Sequence, residues 1–125
     1  RADLTMKDGA IIRLRRYGRP GATRIVLGHG NGLAINAYAP FWLPLTQDYD
    51  VVVFDMRNHG ENPLHTLGGH TWENFFSDIE EIFQEIRKHF GLARTVAASA
   101  NHHCTGHSAA GSRTCQVAKF ASFSR

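Results

Sequence analysis

Two short apolar runs constrain this chain more than any other feature. Arg24–Leu27 (RIVL) and Asp50–Phe54 (DVVVF) show no alternation of polar and apolar residues, and each stops at a turn rich in glycine, histidine and asparagine. A half-exposed strand alternates with a period of two. An uninterrupted run this short therefore predicts a strand buried on both faces, as happens when helices cover a sheet. Between the runs, Ala37–Gln47 (AYAPFWLPLTQ) spaces its apolar residues on a loosely helical pattern broken by Pro40 and Pro44, which predicts a short or irregular helix.

The clearest helix is Trp72–Phe90, where Trp72, Phe75, Phe76, Ile79, Ile82, Phe83, Ile86 and Phe90 recur at helical spacing and define one apolar face. Thr71 is placed to cap its start, with Glu73 in the first turn. Arg87, Lys88 and His89 occupy the last turn before Gly91, so both ends match the helix dipole and the usual stop signal. Ala10–Tyr17 (AIIRLRRY) alternates Ile12 and Leu14 with Arg13 and Arg15, as a half-exposed strand does, and Arg94–Ala98 (RTVAA) predicts one more strand. The order β, β, α, β, α, β predicts an α/β fold with a mostly parallel, right-handed wound sheet.

At 125 residues the chain is the size of one domain. A mean hydropathy of −0.29, with no apolar run near the roughly 18 residues of a membrane span, predicts no membrane association. The formal charge of +3 and pI of about 9.2 come without a basic stripe, since acids and bases intermingle up to about residue 90, so no nucleic-acid partner is expected. Cys104 and Cys115 are the only cysteines, and no leader pattern opens the chain, so a cytoplasmic location is expected. Composition changes near Ala97. Residues 91–125 contain no Asp, Glu or Ile and are heavy in Ala, Ser, Arg, His and Thr.

In wound α/β sheets the active site lies beyond the carboxyl ends of the strands, here at Gly28-His29-Gly30-Asn31-Gly32 and at Asp55-Met56-Arg57-Asn58-His59-Gly60-Glu61-Asn62. Glycines at such a turn let backbone N–H groups point at an anion, either a phosphate or an oxyanion. The dinucleotide fingerprint requires a third glycine or alanine, but Leu33 or Ile35 stands there. Asp55, at a strand end, keeps dinucleotide binding as an alternative.

The two turns together resemble the α/β-hydrolase family, in which HG-x-G follows one strand and D-x-R-G-H-G-x-S the next. Asn58 stands in place of a glycine and Asn62 in place of the serine. The resemblance covers about residues 8 to 98. It implies a serine hydrolase acting on an ester, amide or similar bond of a small-molecule acyl substrate, without cofactor or metal, with the N–H of Asn31 stabilising the oxyanion. It assigns structural roles to His29, Gly30, Gly32, Asp55, Arg57, His59 and Gly60, the last turn being pinned by a local ion pair and hydrogen bonds.

Gly106-His107-Ser108-Ala109-Ala110-Gly111 is similar to the family's G-x-S-x-G elbow, which implies Ser108 as nucleophile and the N–H of Ala109 as second oxyanion donor. Six residues, Asn101–Gly106, separate it from the expected strand end, and no Asp, Glu or His follows Ser108 to complete a triad. Residues 1–98 thus read as the N-terminal part of an α/β-hydrolase domain. Residues 99–125 read as an atypical tail, for which a shifted reading frame or disorder is the expectation. A non-catalytic fragment or binding module is the other functional reading. His102, His103, Cys104, His107 and Cys115 match no zinc-finger spacing, so no metal site is assigned.

Overall fold

The computed structural model describes residues 1–29, 33–66 and 71–99. Five strands form one sheet in the order β1-β2-β4-β3-β5, with β1 Ala2–Thr5, β2 Ile11–Gly18, β3 Arg24–Gly28, β4 Asp50–Phe54 and β5 Thr95–Ser99. Helix α1, Ala39–Trp42, lies between 3-10 turns at Ile35–Tyr38 and Leu43–Gln47, and α2 is Trp72–Phe90. The predicted elements are all present, and both proline-interrupted turns fall where Pro40 and Pro44 allow only short helices.

The expectation of a mostly parallel sheet holds only for β4, β3 and β5, which pair in parallel. β1 pairs antiparallel with β2, and β2 antiparallel with β4, so the sheet is mixed. β1 and β2 are antiparallel because a tight hairpin joins them, closed by bonds from Met6 N–H to Ala10 O (2.8 Å) and from Gly9 N–H to Met6 O (2.9 Å); β2 opposes β4 because the short turn at 19–23 reverses the chain into β3, which is parallel to β4. A hairpin can only reverse direction, whereas the parallel strands are linked by helical crossovers. β1 carries a single buried residue, Leu4, and left no periodicity to detect.

β4 is buried along its whole length, as its composition required. Val52 and Phe54 face α2 together with Ile12, Leu14, Val26, Ile82 and Ile86. Val51 and Val53 face the other way, with Leu27, onto Ile35 and Trp42. The indole of Trp42 donates to the Ile35 carbonyl at 3.0 Å and packs on Tyr17, which ties the short helix to the sheet.

Thr71 caps α2 as expected, its hydroxyl accepting the N–H of Asn74 at 3.2 Å, and Gly91 (φ +78°) ends the helix. The apolar face is narrower than its sequence implied. Phe75, Ile79, Ile82 and Ile86 are buried, whereas Trp72 and Phe76 are 40% and 54% exposed. Their place on the stripe is taken by Asp78, which is buried for a reason that emerges at the site. Among the described residues no helix is long and apolar enough to cross a membrane.

Candidate active site

Because β3, β4 and β5 are parallel and in register, their carboxyl ends emerge side by side. Gly28 is paired with Ser99, and Leu27 with both Val53 and Ala98. The segments that leave the sheet there begin at His29, Asp55 and residue 100. Gly28 is needed at this edge because a Cβ on it would stand 2.8 Å from the Phe54 ring.

His29 is fully buried, and its Nε2 accepts the Met56 N–H at 2.8 Å. Accepting that bond places the ring proton on Nδ1, the neutral form. The same Nε2 lies 3.5 Å from Asp55 Oδ1 and is turned to the Met56 amide. Asp55, also buried, accepts the Ile35 N–H on Oδ1 at 2.7 Å, and on Oδ2 the Glu61 N–H at 3.3 Å and the Arg15 guanidinium at 3.4 Å. The loop after β3 is therefore held at both ends by the turn after β4. His29 anchors its beginning and Ile35 its end.

The turn after β4 is held just as closely. Gly60 has φ +55° and sits against Asp55, so a Cβ there would overlap the carboxyl group. Asn58 stands where the resembled motif has glycine and adopts φ +60°, a conformation that Asn tolerates better than other side-chain-bearing residues. Its Oδ1 accepts the His65 N–H at 2.6 Å. Asn62 is not a passive replacement for serine. Buried, it donates to the carbonyls of Asp55 (2.7 Å) and Met56 (2.9 Å) and accepts the Arg13 N–H (2.8 Å), binding the turn to β2. His59 Nδ1 lies 2.8 Å from the Arg57 carbonyl, and its ring is 5.1 Å from that of His29.

The expected local ion pair is corrected. Among the described residues the ion pairs of Arg57 lie outside its own turn: it reaches Asp78 on α2 through Nε (2.7 Å) and Nη2 (2.6 Å), and Asp8 in the β1–β2 hairpin through Nη1 (2.6 Å). The hydrogen bonds that Arg57 donates to Asp78, opposed by burial and reinforced by those to Asp8, raise the guanidinium pKa further above its ordinary value. Arg57 in turn lowers the pKa of Asp8 through its hydrogen bond. Asp78 was missed in the sequence; the signal that could have found it is an acid three residues after Phe75 and four before Ile82, on a stripe where only a paired charge is tolerated. Arg15 and Asp8 left no comparable signal.

The described side chains thus form a scaffold. Gly30, Asn31 and Gly32, and likewise Ser108 and Ala109, lie outside the described residues, as do the histidines and cysteines of the tail. Ser99 is the last described residue of β5. Asp55, the acid that a dinucleotide ribose would require, has both carboxyl oxygens engaged in the scaffold.

No family model and no curated protein matches the sequence. Solved structures do match the fold. A hydrolase from Pseudomonas aeruginosa PA01 superposes with a TM-score of 0.62 at 23% identity over 78% of this chain. The thioesterase domain from the curacin biosynthetic pathway gives 0.63 at 25% identity over 78%. The bottromycin epimerase BotH gives 0.64 at 27% identity over 78%. The match spans 36%, 36% and 38% of those chains respectively, little more than a third of their length.

Proposed function

We propose that this chain, which has part of the α/β-hydrolase fold, belongs to a serine hydrolase that cleaves an ester, amide or similar bond of a small acyl substrate. The observation that carries this reading is the double anchoring of the loop after β3, by the His29–Met56 bond and the Asp55–Ile35 bond, at the carboxyl edge of the parallel strands. An oxyanion donor acts by being held in place before charge develops, so a loop fixed at both ends is the support it requires.

On this reading the hydroxyl oxygen of Ser108 attacks the acyl carbon. The carbonyl oxygen takes the negative charge and is met by the N–H groups of Asn31 and Ala109. Each such donor lowers the barrier by about 3 kcal/mol. The serine proton passes to a general base, which is not among residues 109–125, since these contain no Asp, Glu or His. The stretch Asn101–Gly106 that stands between β5 and Ser108, where the elbow should follow its strand directly, supports the second reading, a non-catalytic fragment or binding module.

A fluorophosphonate probe separates the two. Covalent labelling of the 125-residue chain at Ser108, abolished by Ser108→Ala, is the expected result. Absence of label under conditions that label a control serine hydrolase leaves the non-catalytic reading.

A further inference from the structure

We propose that a cleft at the opposite edge of the sheet binds a small organic phosphate monoester. The cleft, of about 390 Å³, opens where β3 begins and α2 ends, and Arg16, Thr23, Arg24, Phe90, Leu92 and Arg94 contribute to its lining, which includes no acidic side chain. Its volume is within the range of small-ligand pockets. It lies at the amino ends of the parallel strands, away from His29 and Asp55, and stands whether or not Ser108 is a nucleophile.

The charge balance selects the ligand. Arg16 reaches Asp50 through Nε (2.7 Å) and Nη2 (3.1 Å), and Arg24 reaches the same carboxylate through Nε at 2.9 Å. Arg24, 2% exposed, also donates to the carbonyls of Gly91 (2.8 Å) and Phe90 (2.9 Å), the last acceptors of α2. Arg94 is exposed and forms no ion pair among the described residues. Three guanidinium charges therefore stand against one carboxylate and the roughly half-charge of the helix terminus. The excess, roughly one and a half charges, is about what a phosphate monoester carries at neutral pH.

Geometry agrees with the charge. Arg24 is held rigidly by its three partners, and Arg16 is held by Asp50 with its guanidinium 4.9 Å above the Phe90 ring, leaving Nη1 without a bond among the described residues. Arg24, with Nε, Nη1 and Nη2 all engaged, contributes charge only; the donors left for phosphate oxygens are Arg16 Nη1 and the guanidinium of Arg94, whose planar, always-charged group suits them. Phe90 and the exposed Leu92 provide an apolar rim for the organic part of the ester.

The test is titration of the full 125-residue chain with phenyl phosphate, inorganic phosphate and benzoate, followed by amide chemical shifts and calorimetry. Phenyl phosphate is expected to bind saturably, shifting the amides of Thr23, Arg24 and Arg94, and more tightly than either of the others. Arg94→Gln should weaken it about fivefold or more, while Lys7→Gln, an equal loss of charge at an exposed residue paired with Glu81, should not. The fold is spared, because Arg94 enters the structure through its carbonyl, which accepts the Arg24 N–H at 2.7 Å. Non-saturable shifts, equal weakening by both variants, or benzoate binding as tightly as phenyl phosphate would each overturn the proposal.

Discussion

Arg57 and Asp78 meet as a two-pronged ion pair, Nε to Oδ2 at 2.7 Å and Nη2 to Oδ1 at 2.6 Å, with both side chains almost fully buried. The pair joins the turn after β4 to the helix that covers the sheet. It sets the position of that turn relative to α2, while Asp8 on the third side of the guanidinium adds the β1–β2 hairpin. One cation thus holds together three segments that are distant in sequence.

Removing the helix partner takes both Asp78 hydrogen bonds from the buried cation, while the half-exposed Asp8 remains beside it. Asp78→Ala is expected to destabilise the fold by about 3 kcal/mol, read from the urea midpoint. A loss below half that size would show that Arg57 stays buried without Asp78.

Gly60 should tolerate no side chain. Gly60→Ala combines φ +55° with an overlap on the Asp55 carboxyl. The expected loss is at least about 2 kcal/mol. Displacing Asp55 would also release the Ile35 amide, so hydrogen exchange at Ile35 should accelerate beyond the global change. Unchanged protection at Ile35 would separate Gly60 from the loop after β3.

Acid should weaken the fold through Asp50 and Asp8. Burial alone would raise the Asp50 pKa, but hydrogen bonds and charge from Arg16 and Arg24 outweigh it, and the group titrates below the ordinary 3.8. Asp8 is lowered chiefly by Arg57. A carboxyl whose folded pKa is depressed contributes stability above its unfolded pKa, and that stability is lost as pH falls through the folded value. Urea midpoints should therefore be level near neutrality and fall below about pH 4, with a shallower fall in Asp8→Asn. An acid limb as steep in Asp8→Asn as in the parent would remove Asp8 from the account.

Much of the fold was legible because its signals are local. The uninterrupted apolar run of β4, the alternation of β2, and the spacing and both caps of α2 each lie within one element, and the structure places each of them within a residue or so of its expected limits. β1 was not legible, since four residues with one buried leucine make a strand only when β2 is beside them.

The roles of the charged residues were set by tertiary structure. His29, Gly60 and Asp55 could be placed at the turns from their motif, but not the partners that hold them. Asp50 is joined to Arg24 and Arg16 across 26 and 34 residues, and Arg57 to Asp78 and Asp8 across 21 and 49. Asn62 reaches Arg13 across 49. Burial pattern and capping follow from a residue's own neighbours in the chain, so the sequence by itself determined the elements and their apolar faces. A buried charge is stable only beside a counter-charge, and which one it meets depends on how the crossovers bring the strands together. Only the folded sheet could decide that.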